Sequence, residues 1–177
     1  REGPGIAEQA EAMGALVRAG KIRHWGLSNE TAWGICAFRQ AAKALGVPPP
    51  VTVQNGFNLV ARGAEYELAE TLYREQVSLL AYSPLGGGML TGKYLEGARP
   101  PGARFTEYSN FTARFGTPLA REAIDAYAAL ARERGVSLAS LALGYLRSRW
   151  FVAAMIVGAT SVDQLEANVA AARTELD

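Results

Sequence analysis

The segment VSLLAYSPLGGG, residues 77–88, joins an apolar run directly to a polar and glycine-rich end. Four of its first five residues are apolar, which is typical of a strand that is buried on both faces of a parallel sheet. Pro84 and the three glycines that follow it interrupt regular structure. A buried strand that runs into an irregular polar end is the repeating unit of parallel α/β folds, in which sites are built at the carboxyl ends of the strands.

The same unit occurs four times along the chain and alternates with helical periodicity. Apolar runs predict strands at Ile22–Leu27, Val51–Gln54, Val77–Tyr82 and Ala153–Val157. Apolar residues at helical spacing predict helices at Ile6–Ala19, Thr31–Leu45, Ala64–Glu75, Pro118–Arg134, Leu138–Arg149 and Val162–Ala172. Strands separated by helices in this way predict parallel strands joined by right-handed crossovers.

Polar or glycine-containing segments follow every predicted strand. They are Ser28–Asn29, Gln54–Asn55, Tyr82–Ser83 and Gly158–Ser161. A doubly wound sheet uses its strand ends only near the switch point, whereas a (β/α)8 barrel gathers all of them on one face. Four consecutive polar strand ends therefore favour the barrel. Because a barrel needs eight strands, we expect half of one here.

The composition excludes several classes of function. The chain has 177 residues, 49% of them hydrophobic, with 18 basic and 17 acidic side chains, which allows one core and leaves a net charge of +1. So small a net charge predicts neither nucleic-acid binding nor attachment to a membrane surface. No apolar run is long enough to span a bilayer, and the first residues lack the apolar centre of a secretory signal. The single cysteine, Cys36, fits a reducing cytoplasm, and no metal ligand is predicted.

Four ordered motifs carry a resemblance to a known family. They are GKIRHWGLSN at residues 20–29, Gln54–Asn55, YSPLGGGMLTGKY at residues 82–94, and IVGATS at residues 156–161 with Gln164 and Asn168 after it. In this order and at this spacing they resemble the aldo-keto reductase family, and within it the branch of Tas-like proteins and potassium-channel β-subunits. The similarity runs from Ile6 to the C-terminus.

The resemblance implies an α/β fold that is the C-terminal half of a (β/α)8 TIM barrel: strands five to eight with their helices, and a long loop after strand seven. Residues 1–177 would then be a partial oxidoreductase domain whose N-terminal catalytic half is absent, and the lack of a starting Met agrees with this expectation. The family's catalytic Asp, Tyr, Lys and His come from the first four strands. No catalytic residue is therefore expected in this chain.

The resemblance also implies an NADP(H)-binding half-site. Ser28, Asn29 and Gln54 offer the donors and acceptors that a nicotinamide carboxamide needs. Tyr82 would stack on the nicotinamide ring, and its alternative role is that of a core aromatic. The pyrophosphate is assigned to Ser83, Leu85, Gly88 and Lys93, and the adenosine to Gly158, Thr160, Gln164 and Asn168. Thr160 and Ser161 would serve as helix caps, as anion ligands, or as both.

Several positions depart from the family pattern. Gly158 and Gln164 stand where a Lys or Arg is common, and Ala167 replaces a frequent Glu. The usual charge-assisted contact with the 2′-phosphate is therefore missing, and NADP(H) rather than NAD(H) is expected on the resemblance alone. The one histidine, His24, is expected to be a core or barrel-wall residue. The segment 94–117 is expected either to form a substrate and cofactor lid or to use its aromatics only to anchor a long loop. Those aromatics are Phe105, Tyr108, Phe111 and Phe115.

The expected activity of the full-length parent is reversible hydride transfer between NADPH and the carbonyl of a small-molecule aldehyde or ketone. One alternative is a non-catalytic nucleotide-binding or regulatory module, and another is an unrelated phosphate-binding half-barrel. The latter explains the glycine-rich loop but not the combination of Ser28–Asn29 with Gln54 and Tyr82. Half a barrel also leaves one unpaired edge on each of the Ile22–Leu27 and Ala153–Val157 strands. The chain alone is therefore expected either to form a homodimer through these exposed sheet edges or to be loosely packed and prone to aggregation.

Overall fold

The computed structural model describes residues 3–108 and 115–175. Its helices are α1 Ile6–Arg18, α2 Ala32–Leu45, α3 Gly63–Glu67, α4 Ala69–Glu75, α5 Arg104–Glu107, α6 Pro118–Glu133, α7 Leu138–Arg147 and α8 Val162–Arg173. Its strands are β1 Gly26–Ser28, β2 Thr52–Gly56, β3 Ser78–Tyr82 and β4 Val152–Ile156. Two 3-10 turns, Gly86–Thr91 and Leu95–Gly97, lie between β3 and α5.

The strands form a four-stranded sheet in the order β1-β2-β3-β4. In the pair β1–β2 the strands are parallel, and Gly26 is paired with Thr52 and Ser28 with Gln54. The predicted α/β class with a parallel sheet is therefore confirmed. The sequential order agrees with part of a (β/α) barrel, in which neighbours in sequence are neighbours in the sheet.

The chain divides into two compact units. The first contains the residues up to Asn55 together with Gly63–Leu80. The second contains Gly56–Arg62 together with the residues from Ala81 onward. Each unit has its own hydrophobic cluster.

Hydroxyl side chains begin four of the described helices, as their sequence positions favour. Thr31, Thr117, Ser137 and Ser161 each accept a hydrogen bond from the backbone N–H three residues later. These contacts satisfy one of the open donors at each helix start. Pro118 occupies the first turn of α6, where its fixed φ fits and no N–H is needed.

The structure corrects the predicted start of the first strand, which begins at Gly26 and not at Ile22. Trp25 and Ile22 pack instead against Ala10 and Phe38 from α1 and α2. The Trp25 indole Nε1 donates to the Pro48 carbonyl at 2.8 Å, which ties this segment to the loop before β2. Periodicity could not separate the two cases, because a short apolar run fits a strand and a packed connector equally well.

The structure also divides the predicted Ala64–Glu75 helix into α3 and α4. The break falls at Leu68, which has a φ of −114° and a buried side chain. The other predicted helices and strands are present with ends shifted by a few residues.

In the first unit, α1 packs closely on the residues that follow α2. A β-carbon at Gly14 would lie 2.6 Å from Val47 Cβ, so only glycine permits this approach. In the second unit, the core is built from the turn after β3 together with α5, α6 and α7. Its most buried members include Leu90, Phe105, Ile124 and Ala142.

One apolar surface of the second unit is left exposed by the described residues. It consists of Ile156, Val157, Val162, Leu165 and Val169, which are between 37% and 69% exposed, and is called the β4–α8 face below. Val162, Leu165 and Val169 recur at helical spacing and therefore share one side of α8. In β4, Ala153, Ala154 and Ile156 are exposed as well, although the apolar sequence of the strand is typical of a strand that is covered on both faces.

We expect the 177-residue chain to self-associate or to be loosely packed, because β4 is apolar, lies at the end of the sheet order and continues into this exposed face. Sedimentation velocity with near-UV circular dichroism at low micromolar concentration measures both properties. Leu165→Glu should shift the protein toward monomer. Ala170→Glu is the matched control, since it adds the same charge to α8 outside the face. A well-packed monomer with a cooperative melt would contradict the expectation.

Candidate functional site

In the first unit, the parallel register brings three of the predicted residues together. Ser28 is paired with Gln54, and the Asn29 N–H donates to the Gln54 carbonyl at 2.9 Å. The Asn29 side-chain Nδ2 donates to Ser28 Oγ at 3.1 Å. The Asn29 amide and the Ser28 hydroxyl therefore meet at the carboxyl end of β1, beside the backbone of Gln54, and both Ser28 and Asn29 are exposed to solvent.

Asn29 also has an unusual backbone, and its neighbour is held in place by Asn55. The φ of Asn29 is 53°, in the left-handed region that Asn tolerates better than most residues. The Glu30 N–H donates to Asn55 Oδ1 at 3.1 Å, and Asn55 Nδ2 donates back to the Glu30 carbonyl at 2.9 Å. Sequence reasoning placed Asn55 at a strand end but gave it no role. Its preference for side-chain bonds to backbone was the signal that could have found it.

In the second unit, Tyr82 and Ser83 end β3 in the way the sequence predicts. Both are partly buried. Ser83 has a φ of 53°, and its carbonyl accepts hydrogen bonds from the Gly86 N–H and from Asn58 Nδ2, each at 2.9 Å. Asn58 is fully buried and was missed by sequence reasoning, because it precedes no recognisable motif.

The glycine-rich turn depends on glycine at consecutive positions. Gly86, Gly87 and Gly88 all have positive φ, and a β-carbon at Gly87 would lie 2.8 Å from the Phe105 ring. The N–H groups of Gly86 and Gly88 donate to the Ser83 and Leu85 carbonyls, so these two amides are used within the turn. These glycines thus mainly allow the chain to turn tightly and to pack closely against Phe105.

The structure brings Lys93 back to this turn. A β-carbon built at Gly88 would lie 3.2 Å from Lys93 Nζ, which shows that the ammonium group lies beside this glycine. The same ammonium lies 5.3 Å from the centre of the Tyr94 ring. Lys93 is exposed, so a cation stands at the surface of the turn.

The start of α8 gathers the four residues assigned to the adenosine. Gln164 Oε1 accepts from the Thr160 N–H at 2.9 Å and from Thr160 Oγ1 at 3.1 Å. Asn168 Nδ2 donates to the Gly158 carbonyl at 3.5 Å. Of the two predicted caps, Ser161 is the one that accepts the Gln164 N–H, at 3.3 Å. The first turn of α8 carries an acidic residue, Asp163.

The structure corrects the expectation for His24 and bears on that for the segment 94–117. His24 is exposed, so the prediction of a core or wall position is wrong: the chain around it forms no strand, and Trp25 takes the buried position. Phe105 and Phe115 belong to the core of the second unit, and Phe105 N–H donates to the Tyr94 hydroxyl at 3.1 Å. These two aromatics attach the segment to the core, and its role as a lid stays a prediction. Tyr108 is 62% exposed, and Phe111 lies outside the described residues.

A cavity of about 330 Å³ lies in the second unit beside this anchored segment, lined by eleven residues that include Met89, Tyr94, Phe105, Arg121 and Ile124. In the ranges 3–108 and 115–175, no cluster of His, Cys, Asp or Glu has the arrangement of a metal site. Within the same ranges, no helix combines the length and apolar character needed to cross a bilayer.

Comparison with known proteins gives the family. A sequence model described as the aldo/keto reductase family matches residues 3–177. The chain belongs to this family. The predicted membership is thereby confirmed, including its similarity to Tas and to potassium-channel β-subunits.

Three relatives illustrate the extent of the similarity. Protein tas of Escherichia coli (strain K12) is 44% identical over 171 residues, which is 97% of this chain and 49% of that protein. An aldo-keto reductase of Babesia bovis is 38% identical over 93% of this chain and 59% of its own length. A probable voltage-gated potassium channel subunit beta of Arabidopsis thaliana is 32% identical over 94% of this chain and 52% of its own length. The chain thus spans about half the length of these relatives.

Proposed function

We propose that this chain is the NADP(H)-binding, C-terminal half of an aldo-keto reductase that transfers hydride between NADPH and a small-molecule aldehyde or ketone in the cytoplasm. The observation that carries the proposal is the register of β1 and β2, which pairs Ser28 with Gln54 and bonds Asn29 to the same residue. In a chain that belongs to the aldo/keto reductase family, this group has the donors and acceptors to bind a carboxamide.

The chemistry of each unit fits the part of the cofactor assigned to it. In the first unit, the amides of Asn29 and Gln54 and the hydroxyl of Ser28 match the one acceptor and two donors of a carboxamide. In the second unit, the exposed ammonium of Lys93 beside Gly88 suits a pyrophosphate, and Ser83 and Leu85 contribute backbone to the same turn. Thr160 with Gln164, and Gly158 with Asn168, form two hydrogen-bonded pairs at the start of α8 that suit the adenosine.

When bound, NADPH would supply the hydride, and the chain would decide how the nicotinamide is presented. Ser28, Asn29 and Gln54 would fix the carboxamide and with it the face of the ring that is offered to the substrate. Tyr82 would stack against the ring and limit its tilt. Proton transfer to the carbonyl oxygen is assigned to groups outside this chain, since none of its residues matches the family's catalytic motif.

We expect the pure 177-residue chain to have no carbonyl reductase activity. A general acid contributes a factor of about 10² to 10⁴, and loss of substrate positioning lowers the rate further. The measurement is NADPH oxidation in the presence of a reactive aldehyde, with the longer protein proposed here as the positive control. Turnover by the chain alone would refute the assignment of catalysis to another segment.

A cofactor titration of the same chain tests the alternative function, a non-catalytic nucleotide-binding module. Binding of NADPH by the isolated chain, with no turnover, would favour that alternative. The proposed half-site predicts useful binding only when the rest of the protein is present.

In the longer protein, Tyr82→Ala should weaken NADPH binding by about 0.5–1.5 kcal/mol, because the stacked ring is lost. Fluorescence titration gives the dissociation constant. Tyr82→Phe is the control: it keeps the ring and removes only the hydroxyl, so its dissociation constant should stay within about twofold of the parent value. An unchanged constant in Tyr82→Ala would make Tyr82 a wall residue.

Gln164→Arg should raise the preference for NADPH over NADH. The described start of α8 carries Asp163 but no Lys or Arg between Gly158 and Asn168, so a 2′-phosphate lacks a charge-assisted partner there. A guanidinium should tighten NADPH binding about three- to tenfold and leave NADH unchanged. Gln164→Met has a similar length but no charge, and separates the new charge from loss of the Thr160 contact. Equal shifts for both nucleotides would contradict the assignment.

A further inference from the structure

Ser83 adopts a backbone conformation that its sequence disfavours. Its φ is 53°, in the left-handed region that non-glycine residues seldom occupy. It also precedes Pro84, and a residue before proline prefers extended backbone. Such conformations persist only where surrounding contacts determine them, and they concentrate at functional sites.

Two consecutive residues of the second unit, Phe57 and Asn58, hold the two peptide groups on either side of Ser83. The Phe57 N–H donates to the Tyr82 carbonyl at 3.3 Å, and Asn58 Nδ2 donates to the Ser83 carbonyl at 2.9 Å. Because both flanking peptide planes are held, the φ and ψ of Ser83 are determined together. The Gly86 N–H donates to the same Ser83 carbonyl, so the contact continues directly into the glycine-rich turn.

The hydrogen bonds of Asn58 fix the orientation of its side chain for this contact. Its side chain is fully buried, and Oδ1 accepts the Val60 N–H at 3.0 Å, which leaves Nδ2 as the end that faces Ser83. Its backbone N–H and carbonyl both bond to Ala61, at 3.2 Å and 3.1 Å. The buried amide is therefore satisfied at both ends. An apolar side chain of the same size would fill the space but leave the Ser83 carbonyl without this donor.

We propose that Asn58 is a positioning residue for the nucleotide. It holds Ser83 in the left-handed conformation and thereby directs the Ser83–Gly88 turn, with Lys93 beside it, toward the pyrophosphate. The inference rests on the proposed function, which assigns the pyrophosphate to this turn. Asn58 acts through the backbone, since its own side chain is enclosed by protein.

Hydrogen exchange of the longer protein, measured without cofactor, tests the contact. Asn58→Ser keeps a hydroxyl for the Val60 N–H but cannot reach Ser83, so amides of residues 86–90 should exchange about tenfold faster. Adding Ser83→Gly should restore slow exchange, because glycine adopts positive φ without cost. Ile124→Val is the control: it weakens the core of the same unit, and a general loss of stability would accelerate exchange throughout the unit. Asn58→Ala provides a second variant with the same expectation.

Titration of the longer protein with NADPH tests the functional consequence. Asn58→Ser should weaken binding about tenfold in the parent background but less than threefold in the Ser83→Gly background, as coupled residues require. Equal weakening in both backgrounds, or unchanged exchange at residues 86–90, would overturn the proposal. Faster exchange at residues 86–90 without NADPH binding by the unmodified protein would instead refute the proposed function, and with it the nucleotide role of Asn58.

Discussion

The close pairing of β1 with β2 is the constraint on which the rest of the first unit depends. A β-carbon at Gly26 would lie 2.8 Å from the Thr52 carbonyl and would also strike the Thr52 hydroxyl, so the two strands can approach only with glycine at this position. This contact sets the register, and the register places Ser28 opposite Gln54. A slip by one residue would turn every side chain to the other face and separate this pair.

The strand ends share a second physical feature. Asn29 and Ser83, which directly follow β1 and β3, both have left-handed backbone, and in both places an asparagine side chain donates to a nearby carbonyl. Asn55 acts on Glu30 in the first unit, and Asn58 acts on Ser83 in the second. A carboxamide can donate and accept at once, and is therefore suited to hold irregular backbone that no ladder hydrogen bond reaches. In both units the irregular residue is itself one of the residues proposed to bind the cofactor.

The β4–α8 face is an exposed apolar surface at the end of the second unit. Its apolar side chains are exposed although the sequence pattern around β4 is that of a buried strand. The chain spans about half the length of its relatives. The apolar pattern of β4 agrees with its exposure if a further segment, or a second copy of the chain, covers this face. The local sequence indicates that the apolar face of the strand needs to be buried, but which segment or copy buries it depends on the assembled protein.

The sequence by itself determined the alternation of helices and strands, the helix caps and the family, because these depend on periodicity, short-range hydrogen bonds and ordered motifs. Residues such as Ser28, Gln54 and Lys93 could be selected from their place after strands. Only the tertiary structure decided that Ile22–Trp25 packs as a connector, that His24 is exposed, and that Asn58 holds Ser83. The reason is physical: these outcomes depend on contacts between residues distant in sequence, 25 positions apart for Asn58 and Ser83, and no local pattern encodes such contacts.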